Sequence, residues 1–339
     1  MLLANAVLSG QSSPKVPDSS EVRTSQQLAR QLELVAPRQQ AVDGLLQIGA
    51  PAVPALLAQA RHPDLAIARV ALQVLAALEH GGLAAVPELE KLAARQDERA
   101  QAAAWALARL PRHGTFLVAS TDEGVVREFD DTGREVWKRE KLGRVWTASL
   151  LANGNLLVAG QDAREYDPAG NVVWQSNGAC SAERLVGGNT LVTSSGNRDV
   201  TEVDGGEAAW SHATARVLFA TRLPCGTTLM SDLDAGRIFE VARDGQVTWE
   251  HDGFATPFVC RRLGDGTTLV LQQMRHALIV DRSGKQIREI PVEEHVTDLV
   301  LLPDGTIECG KGYVRRCDAK GTERWRVSLK GYPGRITLR

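Results

Sequence analysis

The chain has 339 residues, 43% hydrophobic and 24% charged, a length that suits one large domain or two modest ones with sizeable cores. Its 39 Lys and Arg against 41 Asp and Glu give a formal net charge of −2, which excludes a global field that would gather nucleic acid or an anionic membrane. No apolar run approaches the roughly 20 residues of a bilayer crossing, so no membrane-spanning segment is expected.

The start, MLLANAVLSGQSSPK, has a short apolar stretch but no basic n-region, at most the remnant of a secretion signal, and leaves both a cytoplasmic and an exported protein open. Residues 1–35 read as a flexible or processed segment. Over 36–110 alanines and leucines recur at helical spacing, predicting helices at 36–47, 52–61, 65–79, 83–95 and 98–109. Asp64 is placed to cap the third helix, and Gly81 and Gly82 supply permissive backbone after it. PAVPALLAQA and AAVPELEKLAA repeat one pattern, with Pro54 and Pro87 33 positions apart. The stretch resembles HEAT-like repeats, which implies binding or scaffolding surfaces; Val70, Leu72, Leu75, Leu89 and Leu92 would stack neighbouring helices.

After Pro111 the period changes to two, and six copies of one strand plan follow. Their late turn glycines, Gly133, Gly170, Gly206, Gly245, Gly284 and Gly321, are 37, 36, 39, 39 and 37 residues apart. Four positions beyond them stand Trp137, Trp174, Trp210, Trp249, Arg288 and Trp325. Five tryptophans in register, in a chain that has seven, establish an internal repeat. Short four-stranded units that bury both faces predict a six-bladed all-β propeller over 114–339, after the short α-helical region. The first copy lacks an obvious inner strand, and Arg335–Arg339 alternates like one, so the C-terminal strand is expected to complete blade one; a rival register would use Ala108–Leu110.

The repeats resemble the quinoprotein-like propeller superfamily, and LANGNLLVAG with EYDPAGNVVW is similar to propellers of the arylsulfotransferase type. That resemblance implies that Trp137, Trp174, Trp210, Trp249 and Trp325 dock neighbouring blades. Arg288 breaks the pattern and should weaken or rewire the contact between blades five and six. It also implies covalent transfer chemistry on histidine, although the family's nucleophile does not map onto this chain. Enzymatic quinoproteins use larger propellers with an acidic calcium and cofactor site that this sequence does not display, so no cofactor is indicated.

Loops between strands two and three, and those leading to the next blade, share one face of a propeller. His276 belongs to the first kind; His212, His251 and His295 belong to the second. These four are candidate catalytic residues, and His212, His251 and His295 are candidate metal ligands, provided their nitrogens converge. Arg198, Arg216 and Lys311 are candidates for an anion-binding rim. Cys180, Cys225, Cys260, Cys309 and Cys317 form an odd set without a CxxC pair, which indicates neither a disulfide framework nor a cysteine zinc site. Nine Lys and Arg against two acids over 311–339 form a basic patch that can meet phosphate, although it also reads as the polar surface of the closing blade. Two repeat platforms without a catalytic constellation lead to the expectation of a non-enzymatic scaffold that binds a protein partner. The alternatives are a histidine-dependent small-molecule enzyme and, more weakly, nucleic-acid binding.

Overall fold

The structure, a computed structural model, describes residues 19–34, 38–194, 196 and 198–339. Six α-helices come first: α1 (Ser19–Gln31), α2 (Arg38–Ile48), α3 (Val53–Ala60), α4 (Leu65–Ala77), α5 (Val86–Ala93) and α6 (Glu98–Arg109). Contacts run chiefly within the pairs α1–α2, α3–α4 and α5–α6, with α4 also against α6. Asp64 and Asp97 cap α4 and α6, their Oδ1 atoms accepting from the amides of Ala66 and Ala100 at 2.8 Å. The expected start at 83 moves to Val86, since Glu79–Ala85 forms a 3₁₀ helix and Pro87 takes the first turn of α5. Gly82 is required by close approach, because a Cβ there would stand 2.3 Å from the Leu75 carbonyl oxygen.

The expectation of a flexible segment through residue 35 is corrected by α1. Ser25 and Ala29 on one face of α1 and Leu32 just beyond its end are buried, and this burial outweighs a polar composition that otherwise suggests a lead-in. Residues 1–18, which include the candidate signal remnant, lie outside the described residues.

Twenty-four strands follow among the described residues. Blade one holds β1 (Thr115–Ser120), β2 (Val125–Asp130) and β3 (Glu135–Arg139); blade two β4 (Val145–Leu150), β5 (Leu156–Gly160), β6 (Ala163–Tyr166) and β7 (Val172–Ser176). Blade three holds β8 (Ser181–Arg184), β9 (Thr190–Ser194), β10 (Asp199–Asp204) and β11 (Glu207–Ala213); blade four β12 (Ala220–Arg222), β13 (Thr228–Asp232), β14 (Arg237–Val241) and β15 (Val247–His251). Blade five holds β16 (Pro257–Arg262), β17 (Thr268–Gln272), β18 (His276–Val280) and β19 (Gln286–Ile290); blade six β20 (Val296–Leu302), β21 (Gly305–Gly310), β22 (Tyr313–Asp318) and β23 (Glu323–Ser328). Finally β24 (Pro333–Leu338) pairs antiparallel with β1, Phe116 opposite Leu338 and Val118 opposite Ile336, as the inner strand of blade one.

The turn between third and fourth strands explains much of the repeat. In DDTG, DPAG, DRSG and DAKG the leading aspartate accepts backbone amides two to four residues on, as Asp130 does from Thr132 and Arg134 and Asp318 from Lys320 and Thr322. The glycine then takes positive φ, 83° at Gly133 and 82° at Gly321.

The propeller core lies between blades, as six apolar clusters each drawn mainly from two neighbours. Five of them are flanked by one half-buried tryptophan of the repeat. Three of these indoles also reach the next blade's turn, Trp210 donating to the Arg243 carbonyl, Trp249 to that of Arg282 and Trp325 to that of Asp131, at 2.7–2.9 Å. At the three junctions from blade two to blade five, a third-strand glutamate holds an arginine from the next blade's inner strand: Glu165 with Arg184, Glu202 with Arg222, Glu240 with Arg262. Each guanidinium lies over the repeat tryptophan. The junction from blade five to six has Ile279, Arg288 and Leu301 in the corresponding places and is apolar, with Arg288 exposed.

Candidate functional site

The helices dock over the inner ends of the blades. On α6, Trp105 Nε1 and Arg109 Nη2 both donate to the Arg184 carbonyl, at 2.8 and 2.9 Å, and Arg109 pairs with Glu183 at 2.9 Å. On the other side Asp43 of α2 meets Arg282 at 3.4 Å. At Gly264 the approach is so close that a Cβ would stand 2.9 Å from the Leu78 carbonyl oxygen.

Between roof and propeller lies a cavity of about 660 Å³, within the range of small-molecule sites. Alanines of α4 and α6 roof it, and residues of β4, β8, β12, β16 and β24 with their following turns wall it. Its polar wall is dominated by arginine. Arg184, Arg222, Arg262 and Arg339 are each matched by a carboxylate behind the wall, those of Glu165, Glu202, Glu240 and Glu128. Arg261 and Arg335 share one, that of Asp298, which is fully buried: Arg261 Nη2 is 3.0 Å and Arg335 Nε 2.9 Å from Oδ2, and the Ile336 amide donates to the same oxygen at 2.8 Å. Arg335 also lies over the Phe219 ring, 4.7 Å from its centroid.

Glu79 completes the lining from the roof. It follows Leu78 at the end of α4 with φ 50°, and among the described residues it enters no ion pair. Burial pushes its carboxyl above the ordinary range, against the pull of Arg261 and with a further push from Asp265. A carboxyl with raised proton affinity beside fixed guanidinium groups is a recurrent arrangement in acid–base sites.

None of the four candidate histidines lines this cavity. His212 and His251 stand on the outer strands β11 and β15, His212 stacked near Trp210 and His251 edge-on to Trp249; burial lowers the His212 pKa. His276 pairs with Glu289 at 2.9 Å, and the His295 carbonyl accepts from the Lys311 amide. All four stand at strand ends opposite the turns that line the cavity, although the His251 ring reaches back to the Arg282 carbonyl oxygen, 3.1 Å from Nε2. No group of three or more His, Cys, Asp or Glu among the described residues is placed to hold a metal ion. Arg198, Arg216 and Lys311 also lie outside the cavity; Arg216 faces Asp234 and Lys311 the Tyr332 ring. In the basic C-terminal stretch six arginines, Arg315, Arg316, Arg324, Arg326, Arg335 and Arg339, are engaged by carboxylates of the protein.

Sequence reasoning missed Glu79, Arg261 and Arg335. The available signal was the recurrence of arginine before the first turn of successive blades, in AERL, ATRL and CRRL. The acidic calcium and quinone site of enzymatic quinoproteins does not fit this wall, whose fully buried Asp298 already serves two arginines.

A family model described as outer membrane protein assembly factor BamB matches residues 122–300, from blade one into the inner strand of blade six. The chain belongs to this family. No curated protein matches it. Among solved structures, this BamB-family chain is similar to a protein of unknown function from Bacteroides caccae, with a TM-score of 0.56 and 20% identity over 66% of this chain and 97% of that one. It is also similar to a streptogramin B lyase, with a TM-score of 0.48 and 12% identity over 67% and 87% of the two chains. A virginiamycin B lyase from Staphylococcus aureus solved with quinupristin gives 0.44 and 11% over 65% and 86%. At these identities the likeness is one of fold.

The expectation of a non-enzymatic scaffold is corrected. It rested on two repeat platforms read as free binding surfaces, whereas the helices and the propeller are engaged with each other, face to face around a cavity.

Proposed function

We propose that the chain is a small-molecule enzyme whose site is the cavity between the helical roof and the propeller channel, with Glu79 as its proton-transfer group. The observation that carries this reading is the position of Glu79, the one lining acid that enters no ion pair among the described residues, in a roofed cavity whose wall holds several arginines. The arginines would hold the substrate and offset negative charge that develops on it. Pairing of α3 with α4 and of α5 with α6 supports reading residues 36–110 as HEAT-like repeats, here serving as a roof. Candidate rim histidines His212, His251, His276 and His295 enter as controls.

The test is a metabolite library screened by thermal stabilisation, followed by mass spectrometry of each hit incubated with protein. Conversion of a hit by the wild type, lost in Glu79→Gln and retained in His251→Ala and His295→Ala, is the expected result. Conversion that survives Glu79→Gln but not the histidine substitutions would move the site to the opposite face.

A further inference from the structure

We propose that the ligand of this cavity is an organic anion with an apolar body, its charged group held between Arg261 and Arg335. The inference rests on the cavity reading above and names its ligand class.

Among the arginines that line the cavity, Arg184, Arg222, Arg262 and Arg339 each have a carboxylate behind them that no second lining arginine shares; Glu202 and Glu240 also take Arg243 and Arg282, but these two lie outside the lining. Arg261 and Arg335 have one between them, and the backbone amide of Ile336 draws on the same oxygen. Two positive charges against one leave an excess facing the cavity, where partial burial makes it costly without an anion. The hydrogen bonds point the same way. Arg335 uses only Nε and Arg261 only Nη2 on Asp298, so the other guanidinium N–H groups of both are left for a ligand. Their side chains are 21% and 14% exposed, against none for Asp298.

Beside this pair the surface is apolar. Phe219 underlies Arg335, and Ala76, Ala77, Ala104 and Leu150 offer no charge to a ligand body. Two carboxylates line the cavity: Glu183 is paired with Arg109, whereas Glu79 enters no ion pair among the described residues and, within electrostatic reach of Arg261, is placed to oppose an anion. Its charge sets the pH response. An anion on Arg261 favours the protonated form of Glu79, so binding takes up a proton and strengthens as pH falls through the range where that carboxyl titrates. The other charged groups facing Glu79 are Arg261 and Asp265.

The test is calorimetry with two matched pairs of probes, 3-phenylpropionate with 3-phenylpropionamide and 1-naphthoate with 1-naphthamide. We expect the acids to bind at least about tenfold more tightly than their amides. Arg261→Gln should remove that preference. Glu79→Gln should tighten the acids several-fold, flatten their pH dependence and leave the amides unchanged, a gain that misfolding cannot produce. Amides that bind as well as the acids would overturn the anion class while leaving the cavity reading intact. No binding of either acid at millimolar concentration, or binding indifferent to both substitutions, would also overturn the proposal. The library screen separates this failure from failure of the cavity reading, since a neutral or cationic hit converted in a Glu79-dependent way would uphold the latter alone.

Discussion

Glu202 lies between blades three and four with a side chain 6% exposed, and holds Arg222, itself 5% exposed, at 3.0 Å. It also takes Asn189 at 2.8 Å and the largely exposed Arg243 at 2.7 Å. Replacement of Glu202 by alanine would leave the Arg222 guanidinium buried and unmatched, which costs about 3–5 kcal/mol; the Arg243 contact adds at most about 1. Arg222→Ala should cost a similar amount for the converse reason, with a further loss of about 0.5–1 kcal/mol from its position over Trp210. The junction between blades five and six supplies the control, because Ile279 and Leu301 occupy the same places in an apolar cluster. Glu202→Ile combined with Arg222→Leu should therefore lie within about 1 kcal/mol of wild type, since well-packed apolar residues often replace a buried pair at no cost. Urea unfolding followed by fluorescence and circular dichroism, with coincident transitions and constant m, gives the three values and the coupling between sites. Single substitutions that cost less than about 1 kcal/mol, or a double variant as unstable as the two singles together, would refute this reading of the buried Glu202–Arg222 pair.

Three further outcomes are expected. Glu79→Gln should stabilise the protein relative to wild type only as pH rises: a carboxyl whose folded pKa is raised ionises first in the unfolded chain, so its penalty is absent below the ordinary value of 4.5 and grows through the folded pKa. A difference in thermal midpoint that is largest in acid would contradict this. Deletion of residues 334–339 should strip β1 of its inner partner and Glu128 of Arg339, which hydrogen exchange would register as loss of protection across 115–120; unchanged exchange there would reject terminal closure. Trp105→Phe should remove one hydrogen bond from roof to blade three, worth about 1 kcal/mol, and hasten proteolysis of the helices before that of the propeller; simultaneous loss of both would contradict local loosening.

The fold was legible because its repeat is written in residues that few other environments demand. A glycine at positive φ recurs in all six turns, with a leading aspartate in four and a tryptophan four positions later in five, because those blades solve the same turn and junction. α1 was not legible, since Ser25 and Ala29 are its buried residues and most of the others are polar. The site was largely hidden for a different reason. Arg261, Arg335, Asp298 and Glu79 come from four separate stretches, and only closure by β24 with docking of the helices brings them to one cavity. Histidine drew notice by residue type, whereas charge matching, which separates Arg261 and Arg335 from the other wall arginines, requires knowing which carboxylate stands behind each.

The most direct measurement is a crystal structure of the protein with a hit from the library bound. The expected density lies between the alanines of α4 and α6 and the inner strands, in contact with Arg261 or Arg335 and with Glu79. Density instead at the opposite face, among His212, His251, His276 and His295, would contradict it.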